Sequence, residues 1–220
     1  MSIDAPYLRQ TLLEAAQESD LEAIMNTLEN GSSIENLINS VDTATGFTAL
    51  HHACSNGNVE ITCFLLRHGA PINVCDHVVY VLLDAGVLDL KDFYNQNKAK
   101  LTCLQTAAAK GYTAILNLLL LHGDVIDGVN DLGETALHHA AAGNFLEAAQ
   151  LLVHCGANLM ATTPIGDTPL HYACQNNAIN TAIFIVDCGM NTPPRSCLEM
   201  ARVFGHATLA NAILQVALLY

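Results

Sequence analysis

TALHHACSNGNVEITCFLLRHGA, residues 48–70, is echoed 87 residues later by TALHHAAAGNFLEAAQLLVHCGA, residues 135–157. Two more copies follow the same scheme, TCLQTAAAKGYTAILNLLLLHGD from Thr102 and TPLHYACQNNAINTAIFIVDCGM from Thr168. The starts at 102, 135 and 168 are 33 residues apart, and the step from 48 to 102 is 54, one period plus 21. Worn copies stand at either end, LLEAAQESDLEAIMNTLENG from Leu12 and SCLEMARVFGHATLANAILQ from Ser196. A fixed period of this length marks small units that cannot bury an apolar face alone and must stack on their neighbours.

Each copy reads as helix, turn, helix, loop. Thr168-Pro169 is a helix start, with a hydroxyl able to cap a backbone N–H and a proline tolerated at the first helical position. The first helix then supplies a leucine (50, 104, 137, 170, 198) and, three residues on, an alanine (53, 107, 140, 173, 201). Alanine there lets neighbouring inner helices approach closely. The turn falls on Gly57, Gly111 and Gly205 in three copies and on Asn144 and Asn177 in two, the residue types that accept positive φ most readily. A second helix with paired apolar residues, such as Leu65-Leu66 and Ile185-Val186, runs to a terminal glycine at 69, 123, 156 or 189.

The period, TPLH at 168–171, TALHHA at 48–53 and 135–140, and GA at 69–70 and 156–157 resemble the ankyrin-repeat family. The resemblance covers residues 8–220. It implies an all-α solenoid of helix-turn-helix units joined by β-hairpin loops, with one insertion between the second and third units. The expected units are 8–42 as N-cap, 43–76, 98–130, 131–163, 164–192, and 193–220 as C-cap, with the insertion at 77–97. Its usual role is protein–protein binding through hairpin tips and the concave inner-helix face, without catalysis.

Composition narrows the function. Apolar residues are 51% and charged residues 13%, which argues against disorder, and a formal net charge of −13 argues against nucleic acid or an anionic membrane. No apolar run approaches the ~20 residues of a membrane helix, and residues 1–10 do not read as a signal peptide. Eight cysteines without a CxxC pair read as free thiols in a reducing compartment: cytoplasm, nucleus or a host-cell cytosol.

The His-His pairs invite a metal or catalytic reading, which the period weakens. His51, His138 and His171 share one repeat position, filled by Gln105 and Glu199 elsewhere. Stacked equivalents form a ladder, whereas a metal needs three or four ligands converging on a point. In the family this histidine ties adjacent loops together. Cys54 and Cys174 align with Ala108 and Ala141 and read as small buried residues. No catalytic constellation, cofactor loop or metal motif emerges, so the expectation is a non-enzyme with no cofactor.

Partner contact is expected at the positions that vary. His52, Thr106, His139 and Tyr172 follow the histidine position, and Phe47, Leu101, Glu134 and Asp167 precede the threonine. The early units thus offer an apolar patch and the later ones an acidic one, suited to a segment with an apolar anchor and basic residues. The 77–98 stretch adds Phe93 and Tyr94 beside Lys98, with Lys100 replacing the junction glycine. It reads either as an aromatic, basic binding finger or as a decayed half repeat whose aromatics cap the interrupted stack. The expected protein is a monomer binding a protein partner. The apolar AILQVALLY at 212–220 leaves a second reading open, a targeting or autoinhibitory part of a larger enzyme or effector.

Overall fold

The repeat phrase folds as its punctuation requires. In a computed structural model, residues 5–30, 34–42, 46–72, 101–189 and 195–217 are described. Thr48 stands as N-cap before a helix whose third residue is His51; Thr135 and Thr168 play the same part before His138 and His171. In each, the histidine Nδ1 accepts the threonine's own backbone N–H, at 3.3, 3.1 and 3.1 Å, the role a Glu or Gln plays in a capping box.

Among the described residues the helices are α1 (Ala5–Glu18), α2 (Leu21–Asn30), α3 (Ile34–Ile38), α4 (Ala49–Asn56), α5 (Val59–Arg67), α6 (Cys103–Ala109) and α7 (Thr113–Leu121). They continue as α8 (Ala136–Ala142), α9 (Leu146–His154), α10 (Pro169–Gln175), α11 (Ile179–Asp187), α12 (Arg195–Val203) and α13 (Ala207–Ala217). Apart from the short α3, which the period does not indicate, and from α6 and α7, the described helices pack as five inner–outer pairs. Two compact bodies result: residues 1–103 with 118–124, and residues 104–117 with 125–220.

In the first body α1 packs on α2 and on α4, and α4 on α5. Its turn at Ser19 takes φ 61°, held by Asn56, whose Nδ2 donates to the Gln17 carbonyl at 2.8 Å and to Ser19 Oγ at 3.2 Å. In the second body inner helix stacks on inner helix, α8 on α10 and α10 on α12, and outer on outer, α9 on α11 and α11 on α13. The alanine row supports this stacking: Ala53, Ala107, Ala140, Ala173 and Ala201 are all wholly buried. Leu50, Leu104, Leu137 and Leu170 are buried beside them, each contributing about 2 kcal/mol. Leu198, in the last unit, is half-buried.

The turns carry the expected left-handed residues, with Asn144 and Asn177 both at φ 56° and Gly111 at 71°. Gly111 is also a packing requirement, since a Cβ there would lie 2.4 Å from Phe145 Cδ1. The hairpin loops are rudimentary. Among the described residues there is no strand, only the antiparallel bridge Val41–Thr48 and single returns in which Asn130 N–H donates to the Glu134 carbonyl (3.1 Å) and Thr163 N–H to that of Asp167 (2.9 Å). The junction glycines at 133 and 166, at φ 74° and 89°, close each loop after one pairing. The segment 77–97 lies outside the described residues.

Candidate functional site

The repeated histidines belong to the scaffold. Because Nδ1 accepts a backbone N–H, each ring is the Nε2–H tautomer and must find an acceptor on that side. His138 finds the Asp167 carbonyl at 3.2 Å, one loop onward, and His171 finds Ser196 Oγ at 2.7 Å. At the same position Gln105 Nε2 donates to the carbonyls of Glu134 at 2.9 Å and Gly128 at 3.0 Å. Amide and imidazole therefore do one job, tying an inner helix to the unit that follows it. Burial lowers the pKa of His51 to about 4, with His52 adding to the effect, and lowers those of His138 and His171 as well.

The variable positions meet one another in the second body. Tyr172, on α10, donates its hydroxyl to Glu134 Oε1 at 2.6 Å, and Asn130 Nδ2 donates to Glu134 Oε2 at 2.7 Å. Burial alone would raise the Glu134 carboxyl, but the bonds from Tyr172 and Asn130 outweigh it and hold the group below its ordinary range. Burial, reinforced by Glu134, pushes the Tyr172 phenol up. His139 Nε2 lies 3.3 Å from Glu134 Oε2, too poorly aligned for a hydrogen bond, and burial keeps the ring below its usual pKa despite that carboxylate. At neutral pH the pair is a carboxylate beside a neutral imidazole rather than a salt bridge. The His138 ring meets Tyr172 edge-on at 5.0 Å.

In the first body Phe47 stacks on His51 at 5.4 Å and meets His52 edge-on at 5.6 Å. Phe47, His52, Leu101, His139, Asp167 and Tyr172 are half-buried, and Thr106 and Glu134 are buried. None of these eight is fully exposed. Phe93, Tyr94, Lys98 and Lys100 lie outside the described residues. Among the described residues no group of three His, Cys, Asp or Glu is arranged to hold a metal, and no helix is long and apolar enough to cross a membrane.

Exposed apolar side chains are scattered over the described residues, Tyr7, Leu121 and Val203 among them, and four of them fall in two consecutive loops of the second body. Ile165 is 83% exposed and Leu132, one period earlier, 49%. Val129 and Met160 stand in the same loops, also exposed. The sequence held a signal for them: each of Leu132 and Ile165 immediately precedes a junction glycine, a turn position where a polar residue would be ordinary. Residues 111–194 contain seven carboxylates and no Lys or Arg, so this apolar pair sits in an acidic field. Asp131 is exposed beside Leu132.

A family model described as "Ankyrin repeats (3 copies)" matches residues 75–163 and 104–196, and one described as "Ankyrin repeat" matches 45–77. A comparison with curated proteins found no match. Ankyrin repeats are in general protein–protein interaction modules and typically non-catalytic. With the period, the capped helix pairs, the alanine row and the histidine ties all in place, the chain belongs to the ankyrin-repeat family.

Proposed function

We propose that the chain is a non-enzymatic binding module, and that its partner is a protein segment presenting apolar side chains among basic ones. The observation carrying this reading is the exposed Leu132 and Ile165, one repeat apart, in a stretch with seven carboxylates and no Lys or Arg. Apolar residues left bare on adjacent loop tips are a usual mark of an interaction surface. The surrounding negative charge speeds the encounter with a basic partner and discourages acidic ones.

The inner-helix positions flank this surface. Tyr172 and His139 are half-buried and bear on Glu134, a carboxylate already satisfied by two donors, so Glu134 serves there as a fixed charge rather than a flexible contact. Asp167 is the freer of the two carboxylates for a partner's cation. Phe47 and His52 form an apolar and aromatic counterpart on the first body. The segment 77–98, with Phe93, Tyr94 and Lys98, is a third element of the interface in this reading. A reducing intracellular compartment suits its thiols.

The test is capture of partners by wild type, by Leu132→Asp with Ile165→Asp, and by Glu134→Lys with Asp167→Lys, after circular dichroism shows equal helix content. A protein held by the wild type, lost with the first pair and weakened by salt supports the reading. Retention by both pairs overturns it.

A further inference from the structure

One buried pair of side chains is used by neither the scaffold ties nor the binding surface. Cys174 lies near the end of α10 and Cys197 in the first turn of α12, both wholly buried in one cluster with Leu170, Ala173 and Ala201. These inner helices pack directly on each other, and the two thiols are near enough for each to perturb the other's ionisation. The equivalent facing positions earlier in the second body hold Ala108 with Ala136 and Ala141 with Pro169. Only the last junction of that body places sulfur on both sides.

We infer that Cys174 and Cys197 are a disulfide site, reduced in this structure, that closes under peroxide and locks the last unit to the one before it. Within the pair, the interaction with Cys197 lowers the Cys174 thiol, and the interaction with Cys174, together with burial, raises that of Cys197. In this reading Cys174 is the attacking sulfur. Its thiolate breaks the O–O bond of hydrogen peroxide, becoming a sulfenic acid as hydroxide leaves and takes up a proton. Cys197, losing its proton, then displaces hydroxide from that sulfenic sulfur, and the S–S bond forms. Two thiols and one peroxide give one disulfide and two waters.

Burial makes this a slow site, reached only when α12 and α13 open locally, and distinguishes it from Cys155 and Cys188, which are exposed. Closure also has a thermal consequence. The bridge spans 22 intervening residues, and a loop of that size raises the melting midpoint of the units it joins by about 5–10 °C.

The experiment uses the full chain. Exposed thiols are first blocked with N-ethylmaleimide under native conditions, then hydrogen peroxide is added and the protein mapped by non-reducing digestion and mass spectrometry. The expected product is a single cross-linked peptide pair carrying Cys174 and Cys197, two hydrogens lighter, with a melting shift that dithiothreitol reverses. Cys174→Ala, a substitution already present at Ala108 and Ala141, should keep its fold and show neither product nor shift. Recovery of Cys174 and Cys197 as alkylatable thiols after oxidation and denaturation would overturn the inference. So would a cross-link between other cysteines, or a Cys174–Cys197 bridge that leaves the melting midpoint unchanged.

Discussion

Replacing Tyr172 by Phe removes one hydroxyl and keeps the ring that meets His138 edge-on at 5.0 Å. The lost contact is the 2.6 Å bond to Glu134 Oε1, which joins the loop of one unit to the inner helix of the next. A hydrogen bond to a charged group contributes about 1.5–3 kcal/mol, and the lower end applies because Tyr172 is half-exposed and Glu134 keeps Asn130 as a donor. Denaturant unfolding at pH 7 of wild type, Tyr172→Phe, Glu134→Gln and the double variant should give a coupling of about 1–1.5 kcal/mol. The pH dependence has a definite sign. Glu134 has a depressed folded pKa, so its contribution is present above the unfolded value of 4.5 and is lost as pH falls through the folded one. Tyr172 has a raised pKa, so its contribution is full below 10.0 and lost as pH rises through the folded value. The gap between wild type and Tyr172→Phe should therefore be widest at neutral pH and close in acid. Additive single-variant effects, or a gap that widens in acid, would refute the reasoning.

Three further outcomes follow from the histidine ladder and the turns. His51, whose pKa falls from 6.5 to about 4, binds fewer protons folded than unfolded in that window, so stability should drop by about 3 kcal/mol from pH 6.5 to 4. His51→Gln should flatten that slope in denaturation curves measured at each pH. His138→Ala should cost about 2 kcal/mol by leaving the buried Thr135 N–H without its partner and the Asp167 carbonyl with the Thr163 N–H alone, while His138→Gln should recover about half, as Gln105 does natively. Asn177→Gly should be neutral or mildly stabilising, whereas Asn144→Gly should lose about 1 kcal/mol because Asn144 Oδ1 also accepts from Thr181 N–H and Oγ1. Melting of the two variants side by side checks the difference.

What could be read from the chain alone was whatever recurs. Leu137, Ala140, His138 and the turn at Asn144 are each specified by their neighbours within one unit, and the structure places them as the period requires. The hairpins were legible only in position: loops as tight as 130–134 close after one backbone pair, so no strand develops. Less legible was the state of the variable residues. Glu134 reads as an open acidic contact, yet its carboxylate is enclosed by Asn130 from its own loop and Tyr172 from 38 residues away. Such a partnership belongs to the stacking of two particular units and has no period. The converse holds for Ile165, an apolar residue that a core-seeking reading passes over and that the closed loop leaves 83% exposed.

The central claim is that this ankyrin array binds a protein through the loop tips of its second body. The most direct measurement places a photo-crosslinking amino acid at Ile165 and, as control, at the exposed Glu147 on outer helix α9, irradiates cells, and identifies the adducts by mass spectrometry. The account expects a discrete adduct at Ile165, absent from Glu147, whose linked peptide carries Lys or Arg beside an apolar residue. Identical adduct profiles at the two positions would contradict it.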